Sequence, residues 1–400
     1  MPITFTHPRN GERVTANLQP QVIVISPRYG ESYSFDRAGR LLSLFVDGRS
    51  IQRTLDHRFL IRNKAGAVRR LELSPDERDA LLKRLFATLH DLRAVLPELT
   101  LSPADQTCLA DALDTVLAMP PEALEADAEA YRRLFLPVSI LPPDQYLALV
   151  VQATIGCSWN RCTFCGLYRD RGFRVRGADE FRAHCRAVRD FFGAGLSLRR
   201  GVFLADANAL TVPQPRLLTL LEIVQEVFGQ PGQPPLPVFS FISAFDAQHK
   251  TVQDWMALRD RGLARVYIGL ETGSDELLRF VRKPGRAADA LAAVHDLKAA
   301  GLAVGVIAMV GLGGDRFAAQ HVQETLAVIG AMPLDGRDVI YLSVYCSAPG
   351  TEYPTLAEQA GIRPLTPEEE AAQQQTLQTA LRQRFPRTRV APYYVEGFAL

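Results

Sequence analysis

The sequence has no apolar run long enough to span a bilayer, and Met1 to Asn10 lack the basic-then-apolar start of an export signal. A cytoplasmic protein with no membrane partner is the expectation. An excess of either charge is also missing: 45 Lys and Arg face 44 Asp and Glu, a formal charge of +1. No global field therefore draws the chain to nucleic acid or to an anionic membrane. No internal repeat of short fixed period is visible. Cysteine is scarce, six in 400 residues, and Cys108, Cys185 and Cys346 are scattered. Such usage excludes the disulfide framework of a small secreted domain.

The other three cysteines fall within nine residues, in the run Gly156-Cys157-Ser158-Trp159-Asn160-Arg161-Cys162-Thr163-Phe164-Cys165. This is a ligand cluster with one ligand missing. Three thiolates can hold three irons of a cubane iron–sulfur cluster and leave the fourth iron open to a non-protein ligand. An electron carrier closes the site with a fourth Cys instead. The competing reading is a zinc site, which His184 and Cys185, about twenty residues further on, could complete. Cys108 reads as packing.

Hydrophobic residues make up 47% and charged residues 22%, enough for a well-packed core. Residues 1–145 read as a module of β-hairpins followed by helices. Asp36 to Gly39 and Asp47-Gly48 are hairpin turns between alternating segments. Ser74-Pro75-Asp76-Glu77 opens a helix that runs to about Val95, Ser102-Pro103-Ala104-Asp105 opens a second, and a third spans Pro121 to Leu134. Leu141-Pro142-Pro143 acts as a linker.

From Tyr146 the pattern changes. Apolar runs at Leu147–Ile155, Gly201–Ala205, Val238–Ser243, Ala264–Leu270, Ala303–Val310 and Val339–Tyr345 alternate with amphipathic stretches, among them Ala247–Arg261 and Ser274–Ala300. Such alternation means a parallel sheet in an α/β fold. Six units are too few for an eight-stranded barrel and suit a partial (β/α)6 TIM-like barrel over 146–360. A C-terminal helix and tail occupy 361–400, ending in Tyr393-Tyr394-Val395-Glu396-Gly397-Phe398. The cysteine run begins where the first strand ends, the active end of such barrels.

These residues resemble the radical S-adenosylmethionine (SAM) superfamily over about 146–355. Gly269-Leu270-Glu271-Thr272-Gly273-Ser274-Asp275 looks like the fourth-strand motif of coproporphyrinogen-type, methylthiotransferase-type and Elongator-type members. Arg282-Lys283-Pro284-Gly285 sits where that group carries a basic residue near the SAM carboxylate. Ser347-Ala348-Pro349-Gly350-Thr351-Glu352-Tyr353 looks like their turn after the sixth strand. The chain departs from the commonest pattern in having four residues, not three, between its first two cysteines.

The resemblance implies a 4Fe–4S cluster on Cys157, Cys162 and Cys165 and SAM bound through its amino and carboxylate groups at the open iron. One electron then cleaves the sulfonium to a 5′-deoxyadenosyl radical that abstracts hydrogen from a substrate. An electron donor such as flavodoxin or ferredoxin is the implied partner, and the N-terminal module would recognise substrate or act as a lid. Phe164 would lie near adenine, as would Ile307 on the fifth strand. Asp206 and Asn208 after the second strand would stand at the methionine amino group, and Ser243 and Asp246 after the third point to the same mouth. Glu271 would bind SAM ribose or ammonium. Lys283, with Arg282 behind it, would pair with the carboxylate.

Each has a plainer reading. Phe164 can be loop packing, Asp206 and Asn208 a turn capping the next helix, and Arg282 and Lys283 solvated charge. Cys346 ends the sixth strand and is either a substrate-side thiol with a catalytic role or a small buried residue. Gly311-Leu312-Gly313-Gly314 lacks the Lys-Ser/Thr of a phosphate loop and reads as a turn. No second cysteine cluster and no Asp-x-His-x-x-Gly cobalamin signature is present. The leading alternatives are a non-catalytic iron–sulfur or SAM-binding sensor or scaffold, and an RNA-modifying enzyme. The lack of a strongly basic domain weakens the RNA reading.

Overall fold

The computed structural model describes residues 2–62, 70–348 and 350–393. Pro349 of the Ser347–Tyr353 run and residues 394–398 of the tail motif lie outside the described residues. The chain divides into two compact units, one of residues 1–137, 187–200 and 396–400, the other of 138–186 and 201–395.

The first unit begins with an eight-stranded antiparallel meander: β1 (Ile3–Thr6), β2 (Arg13–Leu18), β3 (Val22–Ser26), β4 (Ser32–Asp36), β5 (Leu41–Val46), β6 (Arg49–Arg53), β7 (Phe59–Arg62) and β8 (Arg70–Glu72). Both expected turns form. Asp47 and Gly48 take φ of 51° and 71°, the pair of left-handed residues that a two-residue hairpin turn needs. Strand β3 alternates, with Ile23 and Ile25 buried and Val22, Val24 and Ser26 partly open. The buried face meets α1 (Pro75–Val95), α2 (Pro103–Leu117) and α3 (Pro121–Leu134), joining Ile23, Tyr33, Phe35 and Leu44 to Leu85, Leu89, Leu113 and Val116. Ser74 caps α1 reciprocally with Glu77. Cys108, expected as packing, is exposed on α2. Segment 187–200 completes this unit: Arg40 donates to the carbonyls of Phe191 and Phe192. Gly195 approaches Asp36 so closely that a Cβ would lie 2.4 Å from its Oδ2.

The second unit is a parallel α/β assembly. Strand β9 (Leu149–Gln152) leads into β10 (Thr154–Ile155), which pairs antiparallel with β11 (Arg174–Val175) and precedes α4 (Ala178–Phe192). Then follow β12 (Val202–Ala205), α5 (Gln214–Phe228), β13 (Val238–Ile242), α6 (Ala244–Ala247), α7 (Val252–Arg259) and β14 (Leu263–Glu271). The chain continues with α8 (Asp275–Phe280), α9 (Ala287–Ala299), β15 (Ala303–Val310), α10 (Gly314–Gly330) and β16 (Val339–Val344). It closes with α11 (Tyr353–Gln359), α12 (Pro367–Arg384) and β17 (Arg389–Tyr393). The sheet runs β17-β16-β15-β14-β13-β12-β9, parallel throughout. It has seven strands, one more than the sequence suggested, because the C-terminal stretch adds β17 beside β16. Ser274–Ala300 is two helices, broken where Pro284 and Gly285 cannot continue a helix. Ala247–Arg261 is likewise α7 preceded by the separate turn of α6.

The inner face of this sheet is concave. Tyr267 on β14 and Tyr341 on β16 are separated by β15, so their strands lie roughly 9–10 Å apart. Yet both phenols donate to one carboxylate, Asp144, at 2.6 and 2.7 Å. Gly305 on β15 makes room between them: a Cβ there would stand 2.2 Å from the Tyr267 ring. Phe203 and Phe241 pack edge to face beside Tyr267, filling the lower half of a partial barrel. The C-terminal strand ends are left for chemistry. Among the described residues no helix is long and apolar enough to cross a membrane.

Candidate functional site

The cysteine loop is tied off at its base and braced along its length. The β10–β11 pairing closes it, and Gly156, with φ of 75°, opens it. A Cβ on Gly156 would sit 3.0 Å from the Gly172 carbonyl oxygen, so the two arms approach as only glycine allows. The Gly156 N–H donates to Asp206 Oδ2 at 3.1 Å, while Asp206 Oδ1 accepts from Gln152 Nε2 at 3.1 Å. Burial pushes the Asp206 carboxyl above its ordinary range, and these two donors oppose that rise.

Asn160, the third of the four residues between Cys157 and Cys162, explains how the longer spacing is absorbed. It takes φ of 47°, a left-handed conformation that Asn tolerates. Its amide donates to the Tyr168 carbonyl at 2.7 Å and its N–H points to Cys157 Sγ at 3.5 Å. Further along, the Thr163 N–H donates to the Val281 carbonyl at 3.0 Å and the Thr163 carbonyl accepts from Tyr353 N at 3.1 Å. Phe164 packs against the cluster of Leu277, Val281, Leu312, Phe317 and Tyr353. Arg169 covers the loop from outside, donating to the carbonyls of Cys162 and Cys165 at 2.8 and 3.2 Å.

All three thiols are free and half-buried. Burial pushes Cys162 up to about 12 and raises Cys165 too, and in both cases the neighbouring cysteines add to the rise. Three thiolates here need positive charge to exist together. The Lys283 ammonium supplies one such charge, and metal ions would supply the rest. The donor set therefore fits an iron–sulfur cluster. It offers three protein ligands, one short of a closed zinc site. The zinc alternative also loses its fourth ligand. His184 Nε2 accepts from the Gln152 N–H at 3.1 Å, and burial lowers its pKa to about 4. Cys185 is buried on α4.

Two polar groups flank the cysteines. Lys283 Nζ lies 3.0 Å from Glu271 Oε1, both side chains largely closed to solvent. Lys283 is held above its ordinary range by Glu271, then Cys162 and Cys157, against the cost of burial. Glu271 follows a register shift in the β14–β15 pairing and has φ of 62°. Its carboxylate curls back over Gly269, where a Cβ would come within 2.4 Å of it. Thr272 and Gly273 fix this turn: Thr272 Oγ1 is 2.8 Å from His321 Nδ1, and Gly273 N donates to Thr325 Oγ1 at 2.9 Å. The second group gathers after β12 and β13. The Asn208 amide donates to Ser158 Oγ at 2.7 Å and to Asp246, while its oxygen accepts from Ser243 N at 2.8 Å. Ser243 in turn donates to Asp246 Oδ2 at 2.7 Å.

The structure thus brings together the three cysteines with Glu271 and Lys283, and Asn208 with Ser243 and Asp246. Ile307 lies on β15 beside Gly269 in register. Asp206 is spent on the loop backbone, and Arg282 points outward to Glu352 at 2.7 Å. Lys283 is not the solvated helix charge of the plainer reading but a largely enclosed cation in the turn after α8. Cys346 lies two residues beyond β16 and is exposed, so it is not a buried packing residue. Ser158, Asn160, Gly269 and His321 escaped the sequence reading. Ser158, Asn160 and Gly269 stood inside the quoted motifs without a role of their own, and His321 left no signal.

Residues 151–326 match the sequence profile of the Radical SAM superfamily. No curated protein matches the chain. Several solved structures do. Methylornithine synthase (PylB) is 17% identical, with 80% of this chain and 72% of that one covered and a TM-score of 0.43. Coproporphyrinogen III oxidase (HemN) from Escherichia coli is 15% identical, with 59% and 52% covered and a TM-score of 0.45. The FeFe-hydrogenase maturase HydG from Carboxydothermus hydrogenoformans is 13% identical, with 79% and 66% covered and a TM-score of 0.40.

Proposed function

The chain belongs to the radical SAM superfamily through residues 151–326, and we propose that it cleaves SAM reductively to act on a substrate bound at the C-terminal ends of its parallel strands. Its cofactors are those of the family, a 4Fe–4S cluster and SAM. When bound, they supply a 5′-deoxyadenosyl radical; the protein supplies orientation and a dry site.

The observation that carries this reading is the placing of the Lys283 ammonium among three free thiols and against Glu271. Cys157, Cys162 and Cys165 hold the cluster. Lys283 meets the SAM carboxylate, and Glu271 takes the ribose or the ammonium while fixing Lys283. Asn208 and Ser243 present polar atoms on the far side, and Ile307 and half-buried Phe164 offer apolar surface. Asp206 and Arg282 serve the loop and the surface rather than SAM. Exposed Cys346 is the candidate substrate-side thiol. The N-terminal unit selects substrate, an electron donor such as flavodoxin or ferredoxin reduces the cluster, and free cysteines suit a reducing cytoplasm.

The test is anaerobic reconstitution with iron and sulfide, then dithionite and SAM, with 5′-deoxyadenosine as the readout and Cys162→Ala beside the wild type. Product from the wild type alone supports the reading. A wild-type cluster that leaves SAM intact in the presence of candidate substrates favours a sensor or scaffold. Retention of zinc without iron refutes the reading.

A further inference from the structure

We propose that His321 on α10 is a positioning residue for SAM, gripping Thr272 so that the adjoining Glu271 keeps its carboxylate against Lys283. The inference rests on the reading above, in which that pair receives SAM.

Glu271 needs holding. The Thr272 N–H donates to the Leu270 carbonyl at 2.8 Å, closing a three-residue turn around Glu271, whose φ is 62°. A γ-turn of this hand is rare and strained, and a residue with a Cβ stays in it only when its surroundings over-determine it. The turn also steps the pairing of β14 with β15 from Gly269–Ile307 to Glu271–Ala308. Its consequence is the backward course of the carboxylate over Gly269 to Lys283. Relaxed to ordinary extended backbone, Glu271 would leave Lys283.

The surroundings that hold it come from one turn of α10. His321 Nε2 lies 2.9 Å from the Met309 carbonyl oxygen, which can only accept, so Nε2 carries the proton. Burial lowers the imidazole pKa to about 4 and keeps the ring neutral. Nδ1 therefore has a free lone pair, and the Thr272 hydroxyl, 2.8 Å away, donates to it. With its proton so committed, Thr272 Oγ1 accepts from the Ser274 N–H at 3.1 Å. One helical turn on, Thr325 Oγ1 accepts from the Gly273 N–H at 2.9 Å. Gly273 lets the helix come this close: a Cβ there would stand 2.3 Å from the Glu324 carbonyl carbon. The N–H groups of Thr272, Gly273 and Ser274 thus each have one fixed acceptor.

A helix that had only to cover the sheet would place apolar side chains here. His321 and Thr325 instead sink polar groups to 0% exposure, which is costly unless those groups are satisfied. What satisfies them is the turn that bears Glu271 and the carbonyl of the neighbouring strand. The polar contacts of His321 are with Met309, Thr272 and Thr325, so it acts on SAM through the turn.

The experiment uses the reconstituted full-length chain with its cluster oxidised, so that SAM binds without being cleaved, and reads the SAM dissociation constant by calorimetry. His321→Ala removes the imidazole, and Thr272→Val removes the hydroxyl at nearly constant shape. His321→Gln and Thr272→Ser put back a donor and an acceptor. The expected result is a dissociation constant raised on the order of tenfold in His321→Ala and Thr272→Val, and returned close to wild type in His321→Gln and Thr272→Ser, with iron content unchanged. In the cluster-free chain, the backbone amides of residues 271–274 should exchange with solvent faster in the first two variants alone. Unchanged SAM binding in His321→Ala and Thr272→Val overturns the proposal. So does an equal weakening in His321→Gln and Thr272→Ser, which marks general loosening of the fold rather than loss of one bond. Should His321→Ala not fold, Thr272→Val and Thr272→Ser decide. If the wild type itself binds no SAM, the functional reading fails, and amide exchange still judges the grip on the turn: equal rates in all the chains reject it.

Discussion

Lys283 and Glu271 form an ion pair of 3.0 Å whose members come from either side of helix α8, and the carboxylate rests on a glycine. The strand end and the turn after the helix are thereby locked to each other beside the cysteines. Glu271→Ala would leave a largely buried ammonium without its counter-ion, at a cost of about 3 kcal/mol. Chemical denaturation of the cluster-free chain measures it. Gly269→Ala should act more gently on stability but displace the Glu271 carboxylate, weakening SAM binding about tenfold, or 1.4 kcal/mol, in calorimetry on the reconstituted protein.

Asp206→Asn tests the base of the cysteine loop. The carboxylate accepts from Gln152 and from the Gly156 N–H on separate oxygens. An amide offers one oxygen, so one buried donor goes unpaired, costing about 1–3 kcal/mol. Thermal unfolding should shift down, and iron retained after desalting should fall with it.

His321 makes stability depend on pH. Burial lowers its pKa from 6.5 to about 4. The unfolded chain takes up a proton between those values that the folded chain refuses, so stability is full above pH 6.5 and falls as the pH drops toward 4. The full shift corresponds to about 3 kcal/mol. His57 and His184 act in the same direction, so the informative quantity is a difference. His321→Gln should lose less stability than the wild type between pH 7 and pH 5, as read from urea midpoints.

Gly305→Ala probes the barrel floor. The added methyl would overlap the Tyr267 ring and drive its phenol off Asp144. Overpacking of this kind costs about 1–3 kcal/mol, visible in denaturant unfolding.

Cys346→Ala separates cofactor chemistry from substrate chemistry. The thiol is exposed two residues beyond the end of β16. Uncoupled release of 5′-deoxyadenosine should persist at about the wild-type rate while conversion of substrate, once identified, is lost.

The parallel strands were legible because burial on both faces writes them as continuous apolar runs. Ala303–Val310 is buried at every position and spans the expected residues. β17 was not legible: Arg389-Val390-Ala391-Pro392-Tyr393 is short, charged at one end and contains a proline, and only an edge position tolerates that pattern. The cysteines, Glu271 and Lys283 could each be named from motif order, but that Glu271 and Lys283 pair with each other could not. The real work of Asp206 could not, because its partners, Gln152 and Gly156, are some fifty residues distant and nothing in their types announces a hydrogen bond. The paired helices in Ser274–Ala300 were hidden because the residues flanking Pro284-Gly285 keep a helical rhythm on both sides.

Segment 187–200 belongs with residues 1–137 although residues 138–186 of the other unit intervene. A ribosome that has released only the first 145 residues has not yet supplied Phe192 and Gly195, so Arg40 and Asp36 must wait for them. A single protease nick in the Pro137–Pro143 linker would leave residues 1–137 held to 187–200 by noncovalent contacts such as those of Arg40 with the Phe191 and Phe192 carbonyls. The N-terminal unit is therefore complete only once the start of the cysteine-bearing one has been made.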